Sequence, residues 1–377
     1  MLYSFKKSPQ DFIVTELLDF TFAEQGDFFY ILFEKTDQNT MDIISYLWAE
    51  LKLTRKSFGI AGLKDKNAVT RQRLSIHRND IPDEQKLLDT LSNKVKILET
   101  HRHTYPLTIG KNSGNHFSIT LRAHKKVDGK IKKHIKENLA AIGQTGFPNC
   151  FGTQRFGRGM RNFHRAKDIF QNTSDITNDF ELKFKLQAYG SARFNTYVLD
   201  RVSKGLYYLD GDICINKYHA YDIQTGVLQW NKIQLFDYQK SRTEHNTQTH
   251  FSPDNLGEVI DFDPTVRIPT WPILWYNFLT PSSDTPAGEY EAQFLDQAQF
   301  LEEKTQKVCQ QYKIFGIRRA LRVVPQELQY SFGTNNDLII DFSLPTWAYA
   351  TTLLACVFQD IDANTCQSNN RILPTAK

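Results

Sequence analysis

Apolar and polar positions alternate along the first part of the chain in blocks short enough to be strands. Residues 11–17, DFIVTEL, and 27–34, DFFYILFE, are rich in β-branched and aromatic side chains and predict two strands. Thr40 then opens a pattern through Ile43, Ile44, Leu47 and Leu51. That spacing marks one face of a helix, with Thr40 as the expected N-cap. GIAGLKDKNA at 59–68 holds two glycines and three charges and predicts a loop, and VTRQRLSIH after it predicts a strand. Residues 83–93 read as helical, 94–99 as extended, HFSITLR at 116–122 as a strand, and 130–142 as a basic helix. Strands and helices interleaved in this way predict an α/β or α+β layer system.

After GFPNCFGTQRFG the pattern changes. Residues 178–205 predict a long helix, and 205–275 read as strand-like with turns at DGD (210–212) and DFDP (261–264). Residues 289–311 are helical, and 335–360 return to a strand and a helix, DLIIDFSLP then WAYATTLLACVF. A chain of 377 residues is long for one core, so two units are expected. The change of character predicts that residues 150–315 are an insertion, with 1–149 and 316–377 forming one discontinuous unit.

Composition narrows the class. Hydrophobic residues at 40% and charged residues at 23% exclude disorder over most of the chain. No run of 18 apolar residues predicts a transmembrane helix, and MLYSFKKSPQDF lacks the apolar core of a secretory signal, so no membrane partner and a cytoplasmic location are expected. The five cysteines have no zinc-ligand spacing, which argues against a disulfide framework and a metal site.

The net charge of +4 says little, but its distribution says more. Residues 54–73 hold six Lys or Arg against Asp65 alone, and residues 101–136 hold nine against Asp128 alone. QRFGRGMRNFHR at 154–165 has four arginines and no acid, whereas 281–303 has six acids and no base. Any one run could be a solvated face. Three basic runs, each interleaved with Phe, Tyr or His, point to a polyanion, and RNA fits that pattern.

The chain lacks a phosphate loop, a GxGxxG after a strand, HExxH and GxSxG. FGRG at 156–159 is read more simply as a turn than as a nucleotide site. Asp65 remains, between Lys64 and Lys66 in a glycine-flanked loop. Turns favour Asp, so an ordinary surface residue is one reading. The other is an anion poised in a basic groove, which a nucleophilic or proton-abstracting step at a nucleoside needs.

Six stretches in order along the chain are similar to the TruD family of transfer RNA pseudouridine synthases. They are Lys6, Pro9, Asp11, Phe12, Val14 and Glu16 in the pattern K-x-x-P-x-D-F-x-V-x-E; GIAGLKDKNAVTRQ at 59–72; GNHF at 114–117; NCFGTQRFG at 149–157; SARFN at 191–195; and FSLPTWAYAT at 342–351. The departures are Gln10 where an acid is usual, Thr346 and Trp347 in place of a Gly–Ser pair, and Tyr349 where a Phe can occur.

The resemblance implies an α+β fold: a catalytic domain of mixed sheet flanked by helices, with an inserted α/β domain. It implies that Asp65 is the catalytic nucleophile, with Lys6 beside it and Glu16 on the same strand. Phe12, Asn115 and Phe117 match substrate-pocket positions. Asn115 could read a uracil edge, and Phe117 with Tyr349 could sandwich the ring. Lys64, Lys66, Arg71, Arg155 and Arg158 are further candidates for RNA contact. The implied reaction turns a uridine, at position 13 in the D arm of tRNA, into pseudouridine. It adds no group and changes no oxidation state, so no cofactor and no metal are expected, and a monomer is expected. The competing reading is a non-catalytic RNA-binding protein or RNA chaperone on the same scaffold. A deaminase would need H-x-E and P-C-x-x-C zinc ligands, which the sequence lacks.

Overall fold

The computed structural model describes residues 2–81, 83–171, 179–206, 209–216, 221–222, 227–228, 267–273, 280–297, 306–307, 310 and 318–358. Its elements are β1 (Tyr3–Ser4), β2 (Phe12–Leu17), β3 (Phe28–Thr36), α1 (Thr40–Leu51), β4 (Phe58–Ile60), β5 (Val69–His77), α2 (Glu84–Ser92), β6 (Lys96–His103), β7 (Gly114–Ala123) and α3 (Gly129–Thr145). They continue as β8 (Phe147–Pro148), α4 (Arg161–Gln171), α5 (Asp179–Ser203), β9 (Cys214–Asn216), β10 (Tyr221–Asp222), β11 (Val227–Leu228), β12 (Arg267–Pro272), α6 (Pro286–Gln297), β13 (Arg318–Ala320), β14 (Arg322–Val323), β15 (Gln326–Phe332), β16 (Leu338–Pro345) and α7 (Ala350–Val357). DFDP at 261–264 and much of the expected helix beyond 297 lie outside the described residues. None of the described helices is long and apolar enough to cross a membrane.

The centre is a nine-stranded mixed sheet in the order β15-β16-β7-β2-β5-β3-β6, with β1 on β7 and β4 on β5. β2 and β5 run parallel, and the other pairs are antiparallel. Facing residues share one side of a sheet. Register therefore places Ile31, Phe33, Lys35, Leu74, Gln72, Thr70, Val14, Glu16, Phe117, Asn115, Phe342 and Leu344 on one face. Two apolar patches occupy the ends of this face. Ile43, Leu47 and Leu51 of α1 and Leu87 and Leu91 of α2 bury Ile31, Phe33 and Leu74. Ile135, Leu139 and Ile142 of α3 and Leu353 and Val357 of α7 bury Val14, Phe117 and Phe342. Between the two lies a polar strip: Lys35, Thr70, Gln72, Glu16 and Asn115.

The start of α1 differs from the expectation. Asn39 is the N-cap and Thr40 the first helical residue. The Thr40 side chain is buried and already engaged: Oγ1 donates to Gln72 Oε1 at 2.8 Å and accepts from the Lys64 backbone at 3.4 Å. A cap there would have broken the link between α1, the sheet and the 59–68 loop.

The chain leaves the sheet unit and returns side by side. Phe147 and Pro148 pair with Val323 and Arg322. Asn149 donates to Leu321 O at 2.8 Å and to Ala320 O at 3.0 Å. A second apolar core forms between them in sequence, around Phe151, Phe163, Tyr189, Phe194, Tyr197 and Trp271.

Candidate active site

Asp65 sits on the loop between β4 and β5, above the polar strip. Gly59 shows why the loop starts as it does: a Cβ there would meet Leu107 O at 2.2 Å and Ser75 Oγ at 2.4 Å. From there the loop is held over the sheet by three tethers. Ala61 O accepts from Gly110 N at 2.8 Å, Lys64 N reaches Thr40, and Asp65 O accepts from Lys35 Nζ at 2.8 Å.

The Asp65 carboxylate faces outward. Oδ2 accepts from Lys6 Nζ at 2.7 Å, and the two side chains are 36% and 21% exposed, so the pair stands at an open mouth. No protein donor among the described residues reaches Oδ1. Lys6 is held from below, since its ammonium lies 3.8 Å from the centre of the Phe12 ring. Its backbone has a φ of +55°, a left-handed conformation that turns the chain from β1 toward β2.

Beneath lies a buried charge network. Lys35 is 1% exposed, and its Nζ donates to both Asp65 O and Gln38 O at 2.8 Å. Burial pushes its pKa down to about 8, the Asp65 charge opposing the shift and Lys64 adding to it. Lys64 Nζ lies 3.0 Å from Glu16 Oε1, a charge contact without hydrogen-bond alignment. Glu16 Oε2 accepts from Arg73 N at 3.0 Å, and Arg73 Nη1 donates to Glu16 O at 3.1 Å. Glu16 is therefore turned inward and supports the loop; its carboxylate does not line the open mouth.

Asn115 pairs in register with Glu16 on one side and Leu344 on the other. Its Oδ1 is buried without a hydrogen-bond partner among the described residues. Buried polar atoms in native proteins are nearly always paired, so an orphan in a polar strip marks a place for a ligand atom.

The remaining candidates divide. Phe12 and Phe117 are both buried, with ring centres 6.0 Å apart, and Phe117 stacks on Phe342 at 5.4 Å. Tyr349 packs instead on Phe151, with ring centres 6.0 Å apart. Phe117 thus packs within the first apolar core, and Tyr349 against the second. Arg71 pairs with Glu34 at 2.8 Å and shares with it the opposite face of the sheet. Lys66 is exposed on the loop beside Asp65. Arg155 is turned into the protein, donating to Gln187 Oε1 at 2.9 Å, and burial lowers its pKa. The Arg158 side chain lies outside the described residues.

Lys35, Thr40 and Gln72 were missed by reading motifs. Alternation could have found the first: Phe29, Ile31, Phe33 and Lys35 share a face, and a lysine at the end of such a run is buried with them.

Comparison with known proteins identifies the family. A family model described as tRNA pseudouridine synthase D (TruD) matches residues 3–175 and 175–357. The tRNA pseudouridine synthase D of Hydrogenovibrio crunogenus is 27% identical over 358 residues, covering 94% of this chain and 92% of that protein. The one from Aeromonas hydrophila is 29% identical over 371 residues, covering 95% and 91%. Among solved structures, a putative tRNA pseudouridine synthase D from Methanosarcina mazei superposes with a TM-score of 0.62 at 18% identity, over 94% of this chain and 93% of that one, which shows a shared fold.

Proposed function

The chain belongs to the tRNA pseudouridine synthase D (TruD) family and is a tRNA pseudouridine synthase, and we propose that Asp65 is its nucleophile and that its target is the uridine at position 13, in the D arm. The observation that carries the Asp65 assignment is its geometry: a partly exposed carboxylate with one oxygen on Lys6 and the other touched by no donor among the described residues, its main chain fixed from below by Lys35.

The reaction breaks the bond between ribose C1′ and uracil N1 and forms one between C1′ and C5. The C5 proton is lost and N1 gains one, so electrons balance without an oxidant. A uridine in a stack hides these atoms and must be turned out. Asp65 Oδ1 then attacks the sugar or ring, or takes a ribose proton, while Lys6 holds Oδ2. Asn115 Oδ1, which accepts from no described residue, accepts from the uracil imide. Phe12 and Phe117 form the apolar floor beneath Lys6 and the base.

The exposed lysines on and before α3, including Lys125, Lys126, Lys130 and Lys133, supply phosphate contacts. Residues 1–149 and 316–377 act as one catalytic unit, and 150–315 as an insertion; the pairing of β8 with β14 supports this division.

The test is tRNA labelled with tritium at uridine C5. The protein should release tritium, and mapping should find the pseudouridine at position 13. A product at another position would overturn the target assignment, and full activity in Asp65→Asn would overturn the nucleophile.

A further inference from the structure

Trp347 follows β16 in the turn that leads to α7. Its φ is +75°, in the left-handed region that a bulky residue rarely enters. Packing does not repay this conformation: the side chain is 57% exposed, and among the described residues no other ring or cation packs against it. The turn is nonetheless firmly held. Arg319 Nη2 donates to Trp347 O at 2.8 Å while also gripping Asn149 Oδ1 at 2.6 Å. Next to it, Thr346 N donates to Ser113 O at 3.2 Å and Thr346 Oγ1 to Asn112 O at 2.7 Å. Strain kept by a rigid surround, with the side chain left in solvent, points to use.

Its position says what use. Leu344, three residues before it, pairs with Asn115, which pairs with Glu16 beneath the Asp65 loop. Two strand spacings separate Leu344 from Glu16, roughly 10 Å. The loops around this end are laced together, Gly110 to Ala61 and Ser113 to Thr346. Two of them carry the exposed Leu63 (66%) and Ile109 (82%). Trp347, Leu63 and Ile109 are therefore exposed apolar side chains on loops joined to one another at this end of the sheet, and Lys64, next to Leu63, reaches down to Glu16.

We propose that Trp347 is a stacking platform for a base of the transfer RNA next to the reacting uridine. This rests on the tRNA reading above and adds a residue to it. When one nucleotide is turned out, its neighbours lose a stacking partner. An indole carried on a firmly held turn replaces that partner, and it does so for any base because every base has a π-face. A protein surface would find little to match in a rim whose two apolar loops also carry the exposed Lys66 and Lys111, whereas a nucleotide offers both a face for the indole and a phosphate for the cations.

The test compares wild type with Trp347→Gly, which suits a φ of +75°, and Trp347→Phe, which keeps a ring. Binding of an unmodified tRNA transcript and steady-state kinetics are measured for each, alongside transcripts abasic at single positions flanking the target. Trp347→Gly should weaken binding about 5- to 150-fold, the equivalent of about 1–3 kcal/mol per stacked base. The loss should appear in KM more than in kcat, and Trp347→Phe should recover most of it. One abasic transcript should weaken wild-type binding by the same factor and leave Trp347→Gly with no further loss. Equal affinity of Trp347→Gly and wild type overturns the proposal, as does a loss that persists unchanged on every abasic transcript. So does a loss of self-association in Trp347→Gly with tRNA affinity kept, which would make the rim a contact between protein chains. The enzyme reading fails separately: wild type that binds tRNA but forms no pseudouridine would sink that reading, and the binding comparison would still decide Trp347.

Discussion

Replacing Lys35 with Met tests whether a buried ammonium holds the Asp65 loop in its working state. The side chain is 1% exposed and its pKa falls from 10.5 to about 8, chiefly because burial penalises the charge. For a base lowered in this way, the unfolded chain binds more protons between the two values, so stability rises with pH there. Below about 8 both states carry the charge and the cost of burying it is fully present; above that it is progressively relieved. From pH 7 to pH 10 the gain is about 2–3 kcal/mol, at about 1.4 kcal/mol per unit. Lys35→Met has no such group, and all other titrations cancel in the difference. Urea unfolding of both proteins at pH 7, 8.5 and 10 should therefore show wild type gaining about 2–3 kcal/mol on the variant, with equal m-values. Turnover should move the opposite way. The charged groups facing Lys35 are Asp65 and Lys64, backed by Lys6 and Glu16. As the ammonium is neutralised, Asp65 loses the cation under its main chain, and activity should fall on the alkaline side of about 8. The variant should be slow throughout and lack that limb. Parallel stability curves for the two proteins would refute the burial argument, and an unchanged alkaline limb in the variant would refute the link to Asp65.

Asp65→Asn keeps size but removes the negative charge, and turnover should fall by about four orders of magnitude or more, with folding and tRNA binding kept; a rate within tenfold of wild type would exclude a covalent or proton-accepting role. Glu16→Gln strands Lys64, whose side chain is 8% exposed, and should cost about 3–5 kcal/mol in urea unfolding, more than any loss in tRNA affinity. Lys133, whose side chain is 78% exposed on α3, should act on RNA alone: if about five phosphates are neutralised, the log–log salt slope is about −3 to −5, and Lys133→Ala should flatten it by about one. Arg155→Ala should instead lower stability and leave the slope as it was, because that guanidinium is spent on Gln187 and the ring of Phe151; a slope near zero in wild type would return the basic runs to plain solvated faces.

The strands and helices were legible because their periods are strong and the sheet obeys them. VTRQRLSIH is β5 residue for residue, and DFIVTEL and DFFYILFE are β2 and β3 within two residues. Motif matching singled out Lys6 and Asp65, which the fold brings to 2.7 Å, and Asn115, which lies in the polar strip of the sheet. It does not give the direction of side chains. Glu16, Arg71 and Arg155 are charged residues near a basic groove, and each turns inward or to the far face because a partner waits there: Lys64, Glu34 and Gln187. Such partners are distant in sequence and become visible only with the register.

The same limit explains why the supporting residues went unread. Lys35 closes an alternating run and looks like the charged end of a strand, yet parity sets it under the Asp65 loop because β5 places Thr70 opposite it. Thr40 looks like a helix cap, yet its hydroxyl is taken by Gln72 from a strand 32 residues away. Trp347 looks like a departure from a motif, and only its dihedral angle reveals a strained residue held in solvent by Arg319. In each case a local pattern assigned the residue to its own element, while the sheet order assigned it to a loop that another element presents. The proposed nucleophile is marked by its immediate neighbours in sequence. The cation that fixes its backbone and the surface that receives the rest of the substrate depend on which strands lie side by side, and here β2 is flanked by β5 and β7, neither its neighbour along the chain.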